Sequence, residues 1–126
     1  MKCKEFQIGD WIQDENGSPM RIIKVGRDYA CAIFGDNECP WAFEDDDVQP
    51  EGIPITPEIL EKNGWKETAY WLEYQDSKNT IQCCPPDMRG RINGIEIEHF
   101  KCEYVHQYQH LLRLCGLDEL ADNFKV

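Results

Sequence analysis

The sequence predicts an α+β protein, and two contrasting halves of the chain predict it. Residues 5 to about 50 hold short apolar runs separated by tight turns, which is typical of β-strands. The remainder combines alternating strand patterns with two helical patterns. At 126 residues the chain is long enough to bury most of its apolar surface. We therefore expect a β-rich module over residues 1–52 and a helix–meander–helix module over residues 53–126, packed as one compact unit.

The N-terminal strands are placed by their turn residues. An Asn16-Gly17 turn separates a strand opening at residues 8–12 from a second strand over residues 20–25. Further strands are predicted over residues 29–34 and from Trp41 onward. The N-terminal segment thus has a fixed order of features: Gly-Asp-Trp, a turn, an arginine-containing strand, an aromatic strand and an acidic strand end. This order resembles SH3-like and Tudor-like barrels, and the resemblance implies a small barrel over residues 1–52.

The second module begins at a predicted helix start. Thr56 is a favourable N-cap, Pro57 suits the first helical position, and Asn63-Gly64 ends the helix. Apolar and polar residues alternate in three stretches, which predicts strands over residues 69–75, 80–83 and 94–100. Together they form a three-stranded meander, with residues 84–91 as a loop. A closing helix is predicted from about residue 103 to residue 115, with Gly116 as its stop.

Charge and cysteine usage restrict the function. Thirteen basic and 24 acidic side chains give a net charge of −11, which disfavours direct binding to a phosphate backbone. Arg21, Lys24 and Arg27 form a weak basic cluster, so a nucleic-acid-binding barrel is a third hypothesis. Seven cysteines without a CxxC pair indicate reduced thiols. No run of about 18 apolar residues and no signal-peptide pattern is present, so we expect a cytoplasmic protein without a membrane partner.

The preferred candidate site is acidic. Glu44, Asp45, Asp46 and Asp47 form a block that follows Trp41, and Glu51 lies close behind. An exposed tryptophan beside carboxylates suits a basic protein partner. We expect a non-enzymatic binding protein without catalytic residues or a cofactor. Should its partner bind nucleic acid, this acidic surface would act as a mimic and inhibitor.

A metal or cysteine site is the alternative. His106 and His110 are four residues apart, and Cys102 precedes them by one turn, with Cys83 or Cys84 as a fourth ligand. The glutamate of an HExxH motif is missing. A cysteine near His99 would be the corresponding nucleophile. This alternative predicts a zinc- or cysteine-dependent enzyme or a structural zinc protein.

Two segments carry a family resemblance. Residues 53–60 read Ile-Pro-Ile-Thr-Pro-Glu-Ile-Leu, with Asn-Gly-Trp at residues 63–65, and residues 104–112 read Tyr-Val-His-Gln-Tyr-Gln-His-Leu-Leu. They resemble a family of small uncharacterised proteins of gut bacteria, their phages and mobile elements, for which no activity is known. The resemblance implies asparagine where His110 stands, so a metal site needing His110 would not be a family property. We expect His106 and Gln109 to satisfy buried backbone groups where the closing helix meets the meander.

Overall fold

A computed structural model describes residues 3–35, 40–45, 47, 50–68, 71–84, 89–93, 95–96 and 102–126. Within these residues the chain is α+β, with two antiparallel sheets and three α-helices, so the α+β part of the predicted fold is confirmed. The chain forms two compact units. The first unit comprises Met1–Ile53 with Tyr104–Asn123, and the second comprises Pro54–Glu103 with Phe124–Val126.

The first unit contains a curled sheet that forms half of a barrel. Its strands lie in the order β4-β3-β2-β1-β5. The bounds are β1 Trp11–Gln13, β2 Pro19–Val25, β3 Tyr29–Ile33, β4 Trp41–Glu44 and β5 Glu51–Gly52. The register of β2 against β3 shifts between Ile22 and Lys24, where a β-bulge interrupts the pairing. The predicted strands over residues 20–25 and 29–34 are therefore confirmed, while the finer SH3-like assignment stays a prediction.

Alternation along these strands builds the core of the first unit. Residues two apart point to the same face, so Met20 with Ile22 and Ala30 with Ala32 face inward. The cluster is completed by buried apolar side chains from the N-terminal turn and the neighbouring strands: Cys3, Phe6, Ile12 and Phe43.

Two helices belong to the first unit. They are α2, Val105–Leu114, and α3, Asp118–Asp122. We expected the closing helix in the module of residues 53–126, but its contacts place it with the N-terminal sheet. One cause is a long-range backbone hydrogen bond: Val105 N donates to Ile53 O at 2.8 Å. Gly52 also lies so close beneath the Tyr104 ring that an added Cβ would come within 2.5 Å of it.

The second unit contains helix α1, Pro57–Lys62, and a sheet in which sequence neighbours pair. Thr56 caps α1 as predicted, because its Oγ1 accepts from Ile59 N at 3.2 Å. The strands follow the simple order β10-β9-β8-β7-β6. Their bounds are β6 Lys66–Glu67, β7 Leu72–Gln75, β8 Thr80–Cys84, β9 Arg89–Ile92 and β10 Ile95–Glu96.

This sheet corrects the predicted three-stranded meander. Among the described residues this sheet contains five strands. Strand β6 was not predicted, and the predicted loop over residues 84–91 overlaps the end of β8 and most of β9. Arg89, Gly90 and Arg91 lack the apolar alternation that identifies a strand in sequence, and backbone pairing with β8 supplies their order instead. Residues 69–70, 94 and 97–100 of the predicted strands lie outside the described residues.

No helix in the described part of the chain is long and apolar enough to cross a membrane.

Candidate functional site

The predicted docking residues lie on or directly after the two edge strands of the first sheet, β4 and β5. Trp41 lies on β4 with 39% of its surface exposed, and its ring packs on Phe43 with centroids 5.1 Å apart. Glu44 and Asp47 are also exposed, and Asp47 Oδ2 accepts from Glu44 N at 2.7 Å. Glu51 is exposed on β5, which pairs with β1 and ends the strand order opposite β4. We call Trp41, Glu44 and Asp47 the β4 surface.

The remaining acids of the block differ from the prediction. Asp45 is half-buried, and its Oδ1 accepts from Cys3 N at 2.8 Å, so this carboxylate serves the fold. Burial, together with the hydrogen bond and charge of Asp45, raises the pKa of Cys3 to about 11, which keeps the thiol protonated. Asp46 lies outside the described residues.

The proposed metal ligands do not assemble among the described residues. His106 and His110 are neighbours with ring centroids 5.8 Å apart, but His110 Nε2 is occupied by Asp10 at 2.6 Å. Cys102 belongs to the second unit, whereas both histidines belong to the first. No group of three potential metal ligands occurs in the part of the chain that the structure describes.

The cysteine chemistry of the alternative is equally unsupported. Cys102 is fully buried, and burial, with the nearby charge of Cys83, raises its pKa to about 12. A thiol with such a pKa is protonated near neutrality and is a poor nucleophile. His99, its suggested partner, lies outside the described residues.

Two members of the weak basic cluster, Arg21 and Lys24, are engaged within their own chain, and Arg27 is exposed. Arg21 lies over the Trp11 ring at 5.7 Å and also donates to Asp122 O. Lys24 lies over the Tyr29 ring at 5.7 Å. Cation–π contacts of this kind hold both cations against the sheet.

The most concentrated polar chemistry was missed by the sequence analysis, and it centres on Asp10. The Asp10 side chain is fully buried. Its Oδ1 accepts from Arg113 Nη1 at 2.7 Å, and its Oδ2 accepts from His110 Nε2 at 2.6 Å and from Gln7 N at 2.8 Å. A buried carboxylate is stable only when paired and hydrogen-bonded, and here both oxygens are satisfied.

Gln109 extends this arrangement one helical position away. Its Oε1 accepts from Trp11 N at 2.9 Å, while its Nε2 donates to Gly9 O at 2.8 Å and to Ala121 O at 3.0 Å. The expectation that Gln109 satisfies buried backbone groups is confirmed, but those groups belong to β1, its preceding turn and α3 instead of the meander. We call Gln7, Asp10, Gln109, His110 and Arg113 the Asp10 cluster.

Helical spacing explains how α2 supplies this cluster. His106, Gln109, His110 and Arg113 lie three or four positions apart and therefore share one face. His106 is also buried on this face, and its Nδ1 has no hydrogen-bond partner among the described residues. Burial lowers the pKa of His106 below its usual 6.5, the neighbouring His110 adds to this effect, and the Asp10 carboxylate opposes it.

The hydrogen bonds and ion pairs of the Asp10 cluster join one helix to one strand of the first unit. A carboxylate that orients an imidazole is part of many catalytic triads. Here His110 hydrogen-bonds only to Asp10 among the described residues, and the same carboxylate neutralises Arg113. The arrangement therefore fixes α2 against β1 and its preceding turn.

No protein-family model, curated protein or solved structure matches this chain. The function is therefore argued from surfaces and charges.

Proposed function

We propose that the protein is a non-enzymatic, acidic binding protein of the cytoplasm that docks on a basic protein partner. The family resemblance of residues 53–65 and 104–112 favours a phage or mobile-element protein. The β4 surface is the docking site, and Glu51, on the opposite edge strand of the same sheet, adds to the acidic charge of the first unit. A partner that binds nucleic acid would be inhibited by competition between this acidic surface and the phosphate backbone.

One observation carries the proposal: Trp41 is 39% exposed on β4, the strand that ends at the exposed Glu44 and is followed by the exposed Asp47. Tryptophan is enriched among the residues that dominate protein–protein binding energy. Its packing on Phe43 fixes the ring, which lowers the entropy lost when a partner covers it.

The distribution of charge supports the same surface. The first unit carries 15 acidic and 6 basic residues, for a net charge of −9, whereas the second carries 9 and 7, for a net charge of −2. A field of one sign accelerates encounter with a partner of the opposite sign. The β4 surface belongs to the strongly acidic unit.

The experiment is a pull-down from bacterial lysate with the wild-type protein and three variants. Trp41→Ala removes the aromatic anchor, and Glu44→Lys reverses a charge on the β4 surface. Glu61→Lys makes the same charge change at an exposed position of α1 in the second unit and is the matched control. We expect a partner that is lost with Trp41→Ala and Glu44→Lys and retained with Glu61→Lys.

Salt provides a second readout on the captured partner. Charge-steered binding weakens as ions screen the surface, so we expect loss of the partner by about 0.5 M salt. Capture that is insensitive to salt, or equal for all four proteins, would contradict the proposal.

A further inference from the structure

A second surface of the first unit combines an apolar pocket with a charged rim. The pocket has a volume of about 420 Å³ and is open to solvent. Its lining consists of four isoleucines, a glycine and two charged residues: Ile8, Ile22, Ile23, Ile33, Gly9, Arg21 and Asp122. This volume is within the range of about 300–1,000 Å³ that ligand sites occupy.

Two of the four isoleucines of this pocket are exposed to solvent. Ile8 is 63% exposed and Ile23 is 41% exposed, and both belong to the few large apolar side chains that the described residues present to solvent. Ile23 follows the buried Ile22 on the outer face of β2, and the β-bulge between Ile22 and Lys24 breaks the alternation directly after it, since Lys24 is exposed as well. Bulges redirect side chains and are common beside binding sites.

The polar rim offers both a donor and an acceptor. Arg21 donates through Nη2 to Asp122 O and lies over the Trp11 ring, while its Nε and Nη1 donate a hydrogen bond to no described residue. Asp122 Oδ1 accepts from Arg113 Nη2 at 3.3 Å, while Oδ2 accepts from no described residue. A free donor beside a free acceptor matches the carbonyl and amide of a peptide backbone.

The charge around the pocket selects the occupant. Helix α3 presents Asp118, Glu119 and Asp122, all exposed, and carries no basic residue. A second copy of this chain, itself at −11, would be repelled by this rim. A basic segment with an apolar side chain complements both the isoleucines and the acids.

We propose that this Ile8 pocket binds an extended, basic peptide segment through one aliphatic side chain. The side chain lies among Ile8, Ile23 and Ile33. The peptide backbone pairs with Arg21 and Asp122, and flanking lysines or arginines face α3. The pocket shares no residue with the β4 surface, so this proposal goes beyond the proposed function. Either proposal can be refuted by experiment without refuting the other.

The test uses synthetic peptides and isotope-labelled protein, with the methyl NMR signals of Ile8 and Ile23 as reporters. One peptide has a central leucine with lysine flanks, a second has alanine in place of leucine, and a third keeps leucine with glutamate flanks. We expect the lysine–leucine peptide to shift both signals saturably. The alanine peptide should bind roughly tenfold more weakly because it buries less apolar surface.

Variants at exposed positions complete the test, because substitutions there leave the packing of the core unchanged. Ile23→Thr keeps a β-branched residue on the strand, and we expect it to weaken the leucine peptide roughly fivefold. Leu114→Gln removes an exposed leucine of α2 outside the pocket lining, and binding should be unchanged. Asp122→Asn should reduce the salt dependence of binding, because it removes a rim charge.

Several results would overturn the inference. Equal binding of the leucine and alanine peptides, or no shift of the Ile8 and Ile23 signals, would show that no aliphatic side chain of the peptide enters the pocket. Binding of the glutamate-flanked peptide as strong as that of the lysine-flanked one would refute a basic occupant. Shifts that depend on protein concentration alone would identify a second copy as the occupant.

Discussion

Within each of the two units, the contacts that order the sheet span different distances along the sequence. In the first unit, the Asp10 cluster joins residues about a hundred positions apart, as in the pairs Asp10–His110 and Trp11–Gln109. In the sheet of the second unit, every strand pairs with its neighbour in sequence, and polar contacts across it such as Gln82–Glu73 span few residues. The long-range polar contacts of this unit lie outside the sheet, where Asn63 pairs with the backbone of Lys125. The comparison teaches that local signals suffice for a meander, whereas a buried charge needs partners from a distant helix.

The largest effect is expected at the buried carboxylate. Asp10→Asn leaves Arg113 and His110 without their anion, and we expect a loss of roughly 3 kcal/mol in the free energy of unfolding. Urea denaturation measures the loss, and hydrogen exchange shows whether amides of the first unit are affected most. Asp122→Asn, which changes a half-exposed partner of the same arginine, is the control and should cost about 0.5 kcal/mol. Equal effects of the two changes would show that burial does not matter here.

The next effect compares the same substitution in both units. Gln109→Leu replaces the amide by an apolar side chain of similar size and leaves Trp11 N, Gly9 O and Ala121 O unpaired, at a cost of roughly 2 kcal/mol. Gln82→Leu removes one cross-strand hydrogen bond in the second sheet and should cost about 0.5 kcal/mol. Thermal and urea unfolding of both variants test the difference. A larger loss for Gln82→Leu would reverse the proposed contrast.

A smaller effect is expected at the cap of α1 in the second unit. Thr56→Ala removes the oxygen that accepts from Ile59 N, and we expect a loss of about 1 kcal/mol. Thr56→Ser retains the oxygen and should be nearly neutral. Urea denaturation of both variants distinguishes loss of the cap from loss of the threonine methyl group, since only the latter would make them equal.

The smallest effect is a pH dependence of the first unit. Burial lowers the pKa of His106, so the folded state binds a proton less readily than the unfolded state. Its contribution to stability is complete above the unfolded pKa near 6.5 and is lost as the pH falls below it. His106→Phe, which retains the ring packing on Phe6 and Tyr104, should lose less stability between about pH 7 and about pH 5. Parallel pH profiles of the two proteins would contradict this assignment.

The sequence by itself determined the elements whose signals are local. The Thr56-Pro57 cap, the Asn-Gly turn, and the strands over residues 20–25, 29–34 and 80–83 were predicted because turn chemistry and alternation act within a few residues. The α+β class and the span of the closing helix followed from the same patterns. Trp41 and Glu44 were also selected correctly as exposed.

Only the tertiary structure decided where the closing helix belongs and what its polar face does. Asp10 and Arg113 gave no sequence signal of pairing, because their contact depends on a fold that brings residues about a hundred positions apart together. The same holds for Asp45, which looked like a surface acid and instead binds the backbone of Cys3. The strand at Arg89–Ile92 owes its order to pairing with β8, since its own residues carry little apolar alternation. Charge is visible in a sequence, but its burial and its partners are properties of the fold.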